Sequence, residues 1–388
     1  MQSPIENPWG WWRAQMPITK EWTYFDHAAV APLCQPAADA IRHFADEAAM
    51  AGDTVWPTWA KRVEDTRGRA AELVGADRSE VCLIPNTTAG INLIAEGFPW
   101  KSGDNVVVPE GEFPSNLWPW LNQRAKGVEV RIVDRHRDEV RIDDLIDRSD
   151  RRTRMIAASW VGFASGNRLD LEQLVDRAHR RGILVFLDAI QGLGIYPLDL
   201  RETPVDFLAA DGHKWLLGPE GAGIAVVRRE HLDLIRCTSV GWNSSNSPHA
   251  FSASDFEFRN DAARFEGGSA NMVGLAALGA ALEMFLTVTR IHGPDAIARR
   301  VLATAESIQE RLHRLGIASR FPKDPARRSG IVTFRVPGWD PAAFRKLAMD
   351  RGIVLSCRDG GVRASVHAYH DEGDLDRFEK ALRDAAQV

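Results

Sequence analysis

The sequence predicts an α/β protein with a mostly parallel, seven-stranded sheet, followed by a smaller C-terminal α/β domain. Three observations carry this. Seven short runs in the first two-thirds of the chain are apolar on both faces, as strands buried between two layers of helix must be. Amphipathic stretches separate several of them, the order expected of parallel strands joined by helical crossovers. After about residue 290 the alternation restarts on a smaller scale.

The seven strands are read at VCLI (81–84), NVVVP (105–109), VEVRIV (128–133), RMIAAS (154–159), ILVFLD (183–188), DFLAA (206–210) and GIAVVR (223–228). Among the intervening helices, DLEQLVDRAHRRG (170–182) is marked at both ends: Asp170 can cap the first turn and Gly182 can end the last. The smaller domain reads as a helix over 297–316, strand IVTFRV (331–336), a helix over 341–352, a short strand near Ile353–Ser356, strand VRASV (362–366) and a final amphipathic helix. The segment FPKDPARRSG (321–330) reads as a surface loop. The expected divisions are an N-terminal segment (1–30) packing on the small domain, a large domain (31–288) and a small one (289–388).

Composition narrows the function. With 45% hydrophobic and 26% charged residues among 388, the chain is that of an ordinary globular protein with a sizeable core. A net charge of -5 gives no electrostatic footprint for nucleic acid. The longest apolar stretch, near Met272–Leu286, carries Glu283 and reads as too short to span a membrane. The opening MQSPIENPWGWW has neither the basic nor the apolar region of a signal peptide. Cys34, Cys82, Cys237 and Cys357 are far apart and form no CxxC pair, so no metal site is expected and a reducing, cytoplasmic setting is. Trp9, Trp11, Trp12 and Trp22 read as packing for the small domain.

The stretch AADGHKWLLGPEGAG (209–223) puts Lys214 directly behind an apolar strand, with His213 and Trp215 beside it. Burying a lysine is expensive, so this one needs a chemical reason. The glycines could cradle a phosphate, but such a loop opens a helix, and here the strand-like IAVVR follows. A Schiff-base lysine for pyridoxal phosphate (PLP) needs companions: a carboxylate for the pyridine nitrogen, a phosphate cup and a group over the ring. Asp188 ends the strand ILVFLD, where open α/β sheets bind ligands, and Gln191 follows within reach of a ring oxygen. IPNTTAGINLIAEG gives a strand, then Asn86-Thr87-Thr88-Ala89-Gly90, then a helix, whose N-terminus can hold an anion. Singly, each has a plain reading: Thr87 as an N-cap, Asp188 as a strand-end carboxylate with a structural partner. Their joint order favours the cofactor.

On NTTAG, FLDAIQG, DGHKWLLGPEG and RFEGGSANMVGLAALGAAL (264–282), the sequence resembles the class V aminotransferase group of PLP enzymes. That group includes cysteine desulfurases, kynureninase, isopenicillin N epimerase-like proteins and the C–S lyase of ergothioneine synthesis. The resemblance runs from YFDHAAVAPL (24–33) to VRASVHAYHDEGDLDRF (362–378) and implies the type I PLP-transferase fold. It implies that Lys214 is the Schiff-base lysine and proton shuttle, that Asp188 pairs with the pyridine nitrogen and that Gln191 meets the ring oxygen. Thr87, Thr88 and the amides from Ala89 onward would hold the phosphate, with His213 close by. Phe113, in EGEFPSNLWPW (110–120), would stack on the ring where desulfurases use histidine, or else belong to the core. Gly268 and Ser269 would reach the phosphate of a partner subunit, which implies a homodimer with shared sites. Arg363 would clamp a substrate α-carboxylate, against the plainer reading of a surface ion pair. His27 and Ala29, in DHAAV (26–30), would belong to a substrate-side loop.

Three departures from the family pattern bear on function. Ser159-Trp160-Val161 stands where desulfurases have Ser-Asn, which would bring the Trp160 indole to the cofactor ring. Asp211 replaces a phosphate-binding serine and is expected to turn toward a cation or orient His213. SCRDGGVR (356–363) is too short for the mobile loop that carries the desulfurase cysteine, and no other cysteine matches its position. The expectation is therefore a PLP-dependent lyase acting at Cβ of an amino acid, sulfur-linked at that carbon. The alternatives are an epimerase, then a desulfurase or an aminotransferase. An idle cofactor-binding protein has no support, because Lys214, Asp188 and Arg363 are all present.

Overall fold

The computed structural model describes residues 5–136, 139–248 and 255–386. Its strands, in chain order, are β1 (Thr23–Tyr24), β2 (Val81–Ile84), β3 (Asn105–Pro109), β4 (Glu129–Val133), β5 (Thr153–Ser159) and β6 (Leu184–Asp188). They continue with β7 (Phe207–Asp211), β8 (Gly223–Val227), β9 (Ile331–Phe334), β10 (Ile353–Val354), β11 (Ser356–Arg358) and β12 (Gly361–Ser365). The seven predicted strands form one seven-stranded sheet in the order β2-β8-β7-β6-β5-β3-β4. All neighbours pair in parallel except at β8, which runs antiparallel to both β7 and β2.

Period-2 alternation divides the buried side chains between two cores. Val107, Ile156, Leu187 and Leu208 enter the core on one face, while Val106, Val108, Phe186 and Phe207 enter that on the other. The first face is covered by the packed helices Gln35–Ala51, Trp56–Val74 and Met272–His292. The second carries the helix Thr87–Gly97. The helix predicted after Asp170 forms as expected: the Asp170 side chain accepts from Gln173 N at 3.0 Å, and Gly182 takes φ 67°.

Met272–His292 corrects one expectation, because at 21 residues and a mean hydropathy of 1.8 it is long and apolar enough to cross a membrane. Its apolar side chains are instead buried in the core of the fold, among them Leu275, Leu278, Leu282 and Phe285.

The smaller sheet has the order β11-β12-β9, all antiparallel. The single strand predicted near Ile353–Ser356 is two strands with different partners. β10 pairs in parallel with β1, near the N-terminus, and β11 forms a tight hairpin with β12 through Asp359 (φ 50°) and Gly360 (φ 69°). Trp12 is buried edge-on against Phe285 of the large unit, 4.8 Å between ring centres, and 5.5 Å from His367 of the smaller one. It packs between the two units rather than on the small one alone.

Candidate active site

β5, β6 and β7 end side by side, with Ser159 paired to Asp188 and Asp188 to Ala209 in register. Ser159, Asp188 and Asp211 share the parity of Ala157, Phe186 and Ala209, so all three face the side carrying the helix Thr87–Gly97. That helix sits very close to β7: a Cβ on Gly90 would lie 2.6 Å from Ala209 Cβ. Only glycine lets the helix N-terminus reach the ends of these strands.

Lys214 lies in the turn after β7, with no hydrogen bond or ion pair to Nζ among the described residues. Burial lowers its ammonium to about 8; the carboxylates of Asp188 and Asp211 pull the other way, while Arg363 and Arg358 add to the lowering. Burial also raises the Asp188 carboxyl, to about 6, against the Ile190 N–H it accepts and the charge of Lys214. That single N–H, at 3.1 Å, is the only protein hydrogen bond to this carboxyl among the described residues. Above Lys214, the Phe113 ring is 44% exposed, with Nζ 5.7 Å from the ring centre and Phe163 edge-on at 5.3 Å. Phe113 is therefore not a core residue.

At the helix N-terminus the cap is Asn86, not Thr87: its side chain accepts from Ala89 N at 2.8 Å. This occupies the Ala89 amide, expected to face a phosphate. Thr87 and Thr88 occupy the first helical turn, where amides have no intrahelical acceptor. The Thr87 hydroxyl accepts from Asp211 N at 2.9 Å and the Thr88 hydroxyl donates to Ser115 Oγ at 2.8 Å. Asp211 meets the expectation that it turns to His213: its Oδ2 lies 2.9 Å from His213 Nδ1. The pair is too poorly aligned for a hydrogen bond, and both His213 Nδ1 and Asp211 Oδ1 are buried without a hydrogen-bond partner among the described residues.

Other predicted residues lie elsewhere than expected. The Trp160 indole belongs to the opposite core, 5.6 Å from the Tyr196 ring and against Gly192. It follows Ser159 directly, and alternation sends consecutive residues to opposite faces. His27 is wholly buried: Nδ1 pairs with Ser365 O at 3.0 Å and Nε2 with the Tyr369 hydroxyl at 2.8 Å. Burial, then the neighbouring His367 and His370, hold its protonated form well below the usual histidine range. It supports the 26–31 loop from behind, while Ala29 stays in that loop and Ala31 N donates to His213 O at 2.7 Å. Gln191 donates to Ala28 O at 2.9 Å and accepts from Trp215 Nε1 at 2.8 Å, leaving one amide hydrogen for a ring oxygen. Gly268 and Ser269 line a cleft of about 580 Å³ that also includes Ala89, Asn92 and Gly221.

Arg363 is 1% exposed and so is no surface ion pair. It donates to Phe163 O at 2.6 Å, Ser356 Oγ at 3.1 Å and, loosely, Asp26 Oδ1 at 3.3 Å. Burial lowers its guanidinium to about 10, with Asp26 opposing.

Glu112 is a site residue that the sequence reading missed. It accepts from Ser159 N at 2.7 Å and from the Ser159 hydroxyl, so it stands beside Asp188. Burial pushes its carboxyl to about 7, against the Ser159 hydrogen bonds and with Asp188 adding to the rise. The available signal was an acid directly before Phe113, in a loop already assigned to the site.

The aminotransferase class-V family model matches residues 23–378. The chain belongs to this family. It is 27% identical, over 96% of its length and 97% of the relative's, to a probable cysteine desulfurase of Methanothermobacter thermautotrophicus. It is also 26% identical, over 99% of its length and all of the relative's, to an isopenicillin N epimerase of Amycolatopsis lactamdurans. Among solved structures it resembles the cystine C–S lyase C-DES in complex with its reaction product cysteine persulfide, at TM-score 0.87 and 22% identity over 95% of this chain and 99% of that one. A lysine-to-alanine variant of C-DES, with glycine covalently linked to its PLP cofactor, matches at TM-score 0.89 and 22% identity over 96% of this chain and 99% of that one.

As a class V member the chain is a PLP-dependent enzyme, and the site fits that cofactor on its own terms. Among the described residues, Asp188 is a buried carboxylate with one weak donor, Asp211 Oδ1 and His213 Nδ1 are buried without hydrogen-bond partners, and Lys214 has none. Lys214 Nζ lies 5.7 Å from the centre of the exposed Phe113 ring, and Asp211 N donates to the Thr87 hydroxyl at the N-terminus of the helix.

Proposed function

We propose that this PLP-dependent enzyme catalyses Cβ elimination on an α-amino acid with a sulfur-linked leaving group. The cofactor supplies an electron-withdrawing ring that takes up the charge released when a bond at Cα breaks. Lys214 is the amine that would hold it, Asp188 the partner of its ring nitrogen, Thr87 and Thr88 the phosphate donors and Phe113 the ring-stacking group. Arg363 binds the substrate α-carboxylate. Lys214 Nζ, its charge already disfavoured by burial, then takes the Cα proton. The Cβ–S bond breaks with its electron pair leaving on sulfur as a thiolate, and water releases the three-carbon remainder as pyruvate and ammonia.

The observation that carries elimination over desulfuration is the β11–β12 hairpin. Its two-residue turn leaves no mobile loop, and Cys357 is fixed in β11, where burial raises its thiol. Cys34 is pushed up to about 11 by burial, and Cys82 higher for the same reason. None of these three thiols is poised as a thiolate for persulfide chemistry. The likeness to an isopenicillin N epimerase supports the second reading, epimerisation at Cα.

Incubating holoenzyme with S-substituted cysteines in heavy water separates the two by mass spectrometry. Pyruvate, ammonia and a thiol establish elimination. Deuterium at Cα in an inverted, unfragmented product establishes epimerisation and removes the lyase reading. We also propose a cytoplasmic homodimer with shared sites, supported by the four free cysteines and by the open cleft at Gly268 and Ser269. Analytical ultracentrifugation tests the dimer.

A further inference from the structure

The β11–β12 hairpin presents two arginines to one side. Arg363 stands opposite Ser356 in register, and its Nε donates to the Ser356 hydroxyl at 3.1 Å, so Ser356 lies on the face of the hairpin that meets the site. Arg358 is two residues further along β11 and therefore shares that face, diagonal to Arg363. Its charge reaches both Arg363 and Lys214, opposing protonation at each.

The two guanidiniums differ in what already holds them. Arg363 has a backbone carbonyl, a hydroxyl and the Asp26 carboxylate. Arg358 donates only to the carbonyl of its neighbour Cys357, at 2.8 Å, and has no ion pair among the described residues. The nearby Asp359 is taken by Arg320 at 2.6 Å and, more distantly, by Arg135 at 3.6 Å. A half-buried guanidinium with four N–H groups to spare, set beside two other cations, is repelled by its surroundings unless an anion arrives between them.

We infer that Arg358 binds a second negatively charged group of the substrate, a carboxylate carried by the substituent at Cβ. The substrate class is an amino acid whose sulfur-linked group is itself acidic. This rests on the reading of Arg363 as the α-carboxylate site, which leaves Arg358 as the cation for the far end of the same molecule.

The test is the first spectral phase seen when holoenzyme is mixed rapidly with four ligands: S-carboxymethyl-L-cysteine, its neutral amide, L-glutamate and L-glutamine. Wild type should bind each acid roughly tenfold or more tighter than its amide, the worth of one charge-assisted hydrogen bond. Arg358→Gln should remove that preference by weakening the acids alone, and Arg358→Lys should restore part of it. Unchanged binding of the amides shows that the variant is folded and its site intact. Equal binding of acids and amides by wild type overturns the inference and leaves the amino-acid site standing. If Arg358→Gln weakens all four ligands alike, Arg358 serves the α-carboxylate, and both the inference and the role of Arg363 fall. A spectrum that no ligand changes removes the amino-acid reading and the inference together.

Discussion

Replacing Glu112 with Gln should remove a pH-dependent weakness of the apoprotein. The Glu112 carboxyl is raised from 4.5 to about 7, so the folded chain holds this proton more tightly than the unfolded one. Its contribution to stability is then complete below about pH 4.5 and lost as the pH climbs through 7. Moving the group over that interval corresponds to roughly 3 kcal/mol on full ionisation. Partial exposure of the side chain screens some of it, so about 1.5 to 3 kcal/mol should be measurable. Gln imitates the protonated acid: its oxygen can accept from Ser159 N and its amide can donate to Ser159 Oγ. Urea unfolding of the apoproteins should therefore give matching stabilities near pH 5 and a more stable variant near pH 8.5. Asp188, raised to about 6, adds a fall in the same direction to both curves and largely cancels in their difference. A wild-type stability that is flat across this range, or a variant that is weaker at the alkaline end, would refute the argument.

Lys214→Ala should yield no borohydride-fixable adduct with PLP; covalent cofactor persisting in the intact mass would show the lysine assignment to be wrong. Phe113→Ala should weaken PLP binding about tenfold, the worth of an aromatic stacking pair, while leaving the apoprotein melting temperature unchanged because the ring is 44% exposed. Fluorescence titration with PLP would measure the former and calorimetry the latter. Glu266→Ala should destabilise the fold by about 1 to 3 kcal/mol, since it leaves the Leu83 amide without its acceptor and takes from the buried Arg67 guanidinium one of its two carboxylates, Glu64 remaining at 3.0 Å. Chemical unfolding would detect this, and a loss under 1 kcal/mol would class the pair with exposed ones.

The large sheet was legible because its signal is local. Runs such as NVVVP and FLAAD are buried at every residue and can be little else than central strands. Lys214, Asp188 and the 86–90 turn were legible for a related reason: each sits at a strand end, and strand ends are where such folds bind ligands. What failed was orientation around those ends. Alternation from Ser159, the neighbour of Asp188, sends the Trp160 indole to the far face whatever its bulk. His27 and Asp26 are adjacent, but one turns into a buried aromatic cluster and the other toward Arg363. That choice depends on β12 and Tyr369, more than 330 residues away in sequence. The role of Glu112 comes from Ser159, at the end of a strand 47 residues away, which nothing in its own loop reveals.

The hydrogen bond from Asp211 N to the Thr87 hydroxyl joins residues 124 positions apart. It exists only because β8 turns back between β7 and β2, bringing an early helix beside a later lysine. Asp26 and Arg363 close a still wider span of 337 positions around the same centre. A ribosome therefore has to deliver more than half of the chain before Thr87 meets Asp211, and nearly all of it before Asp26 meets Arg363; contacts so distant in sequence close slowly. A chain that ends before β12 lacks Arg363 and the contact it makes with Asp26. The rate at which the yellow colour of bound PLP appears during refolding would time the closure of Thr87 on Asp211.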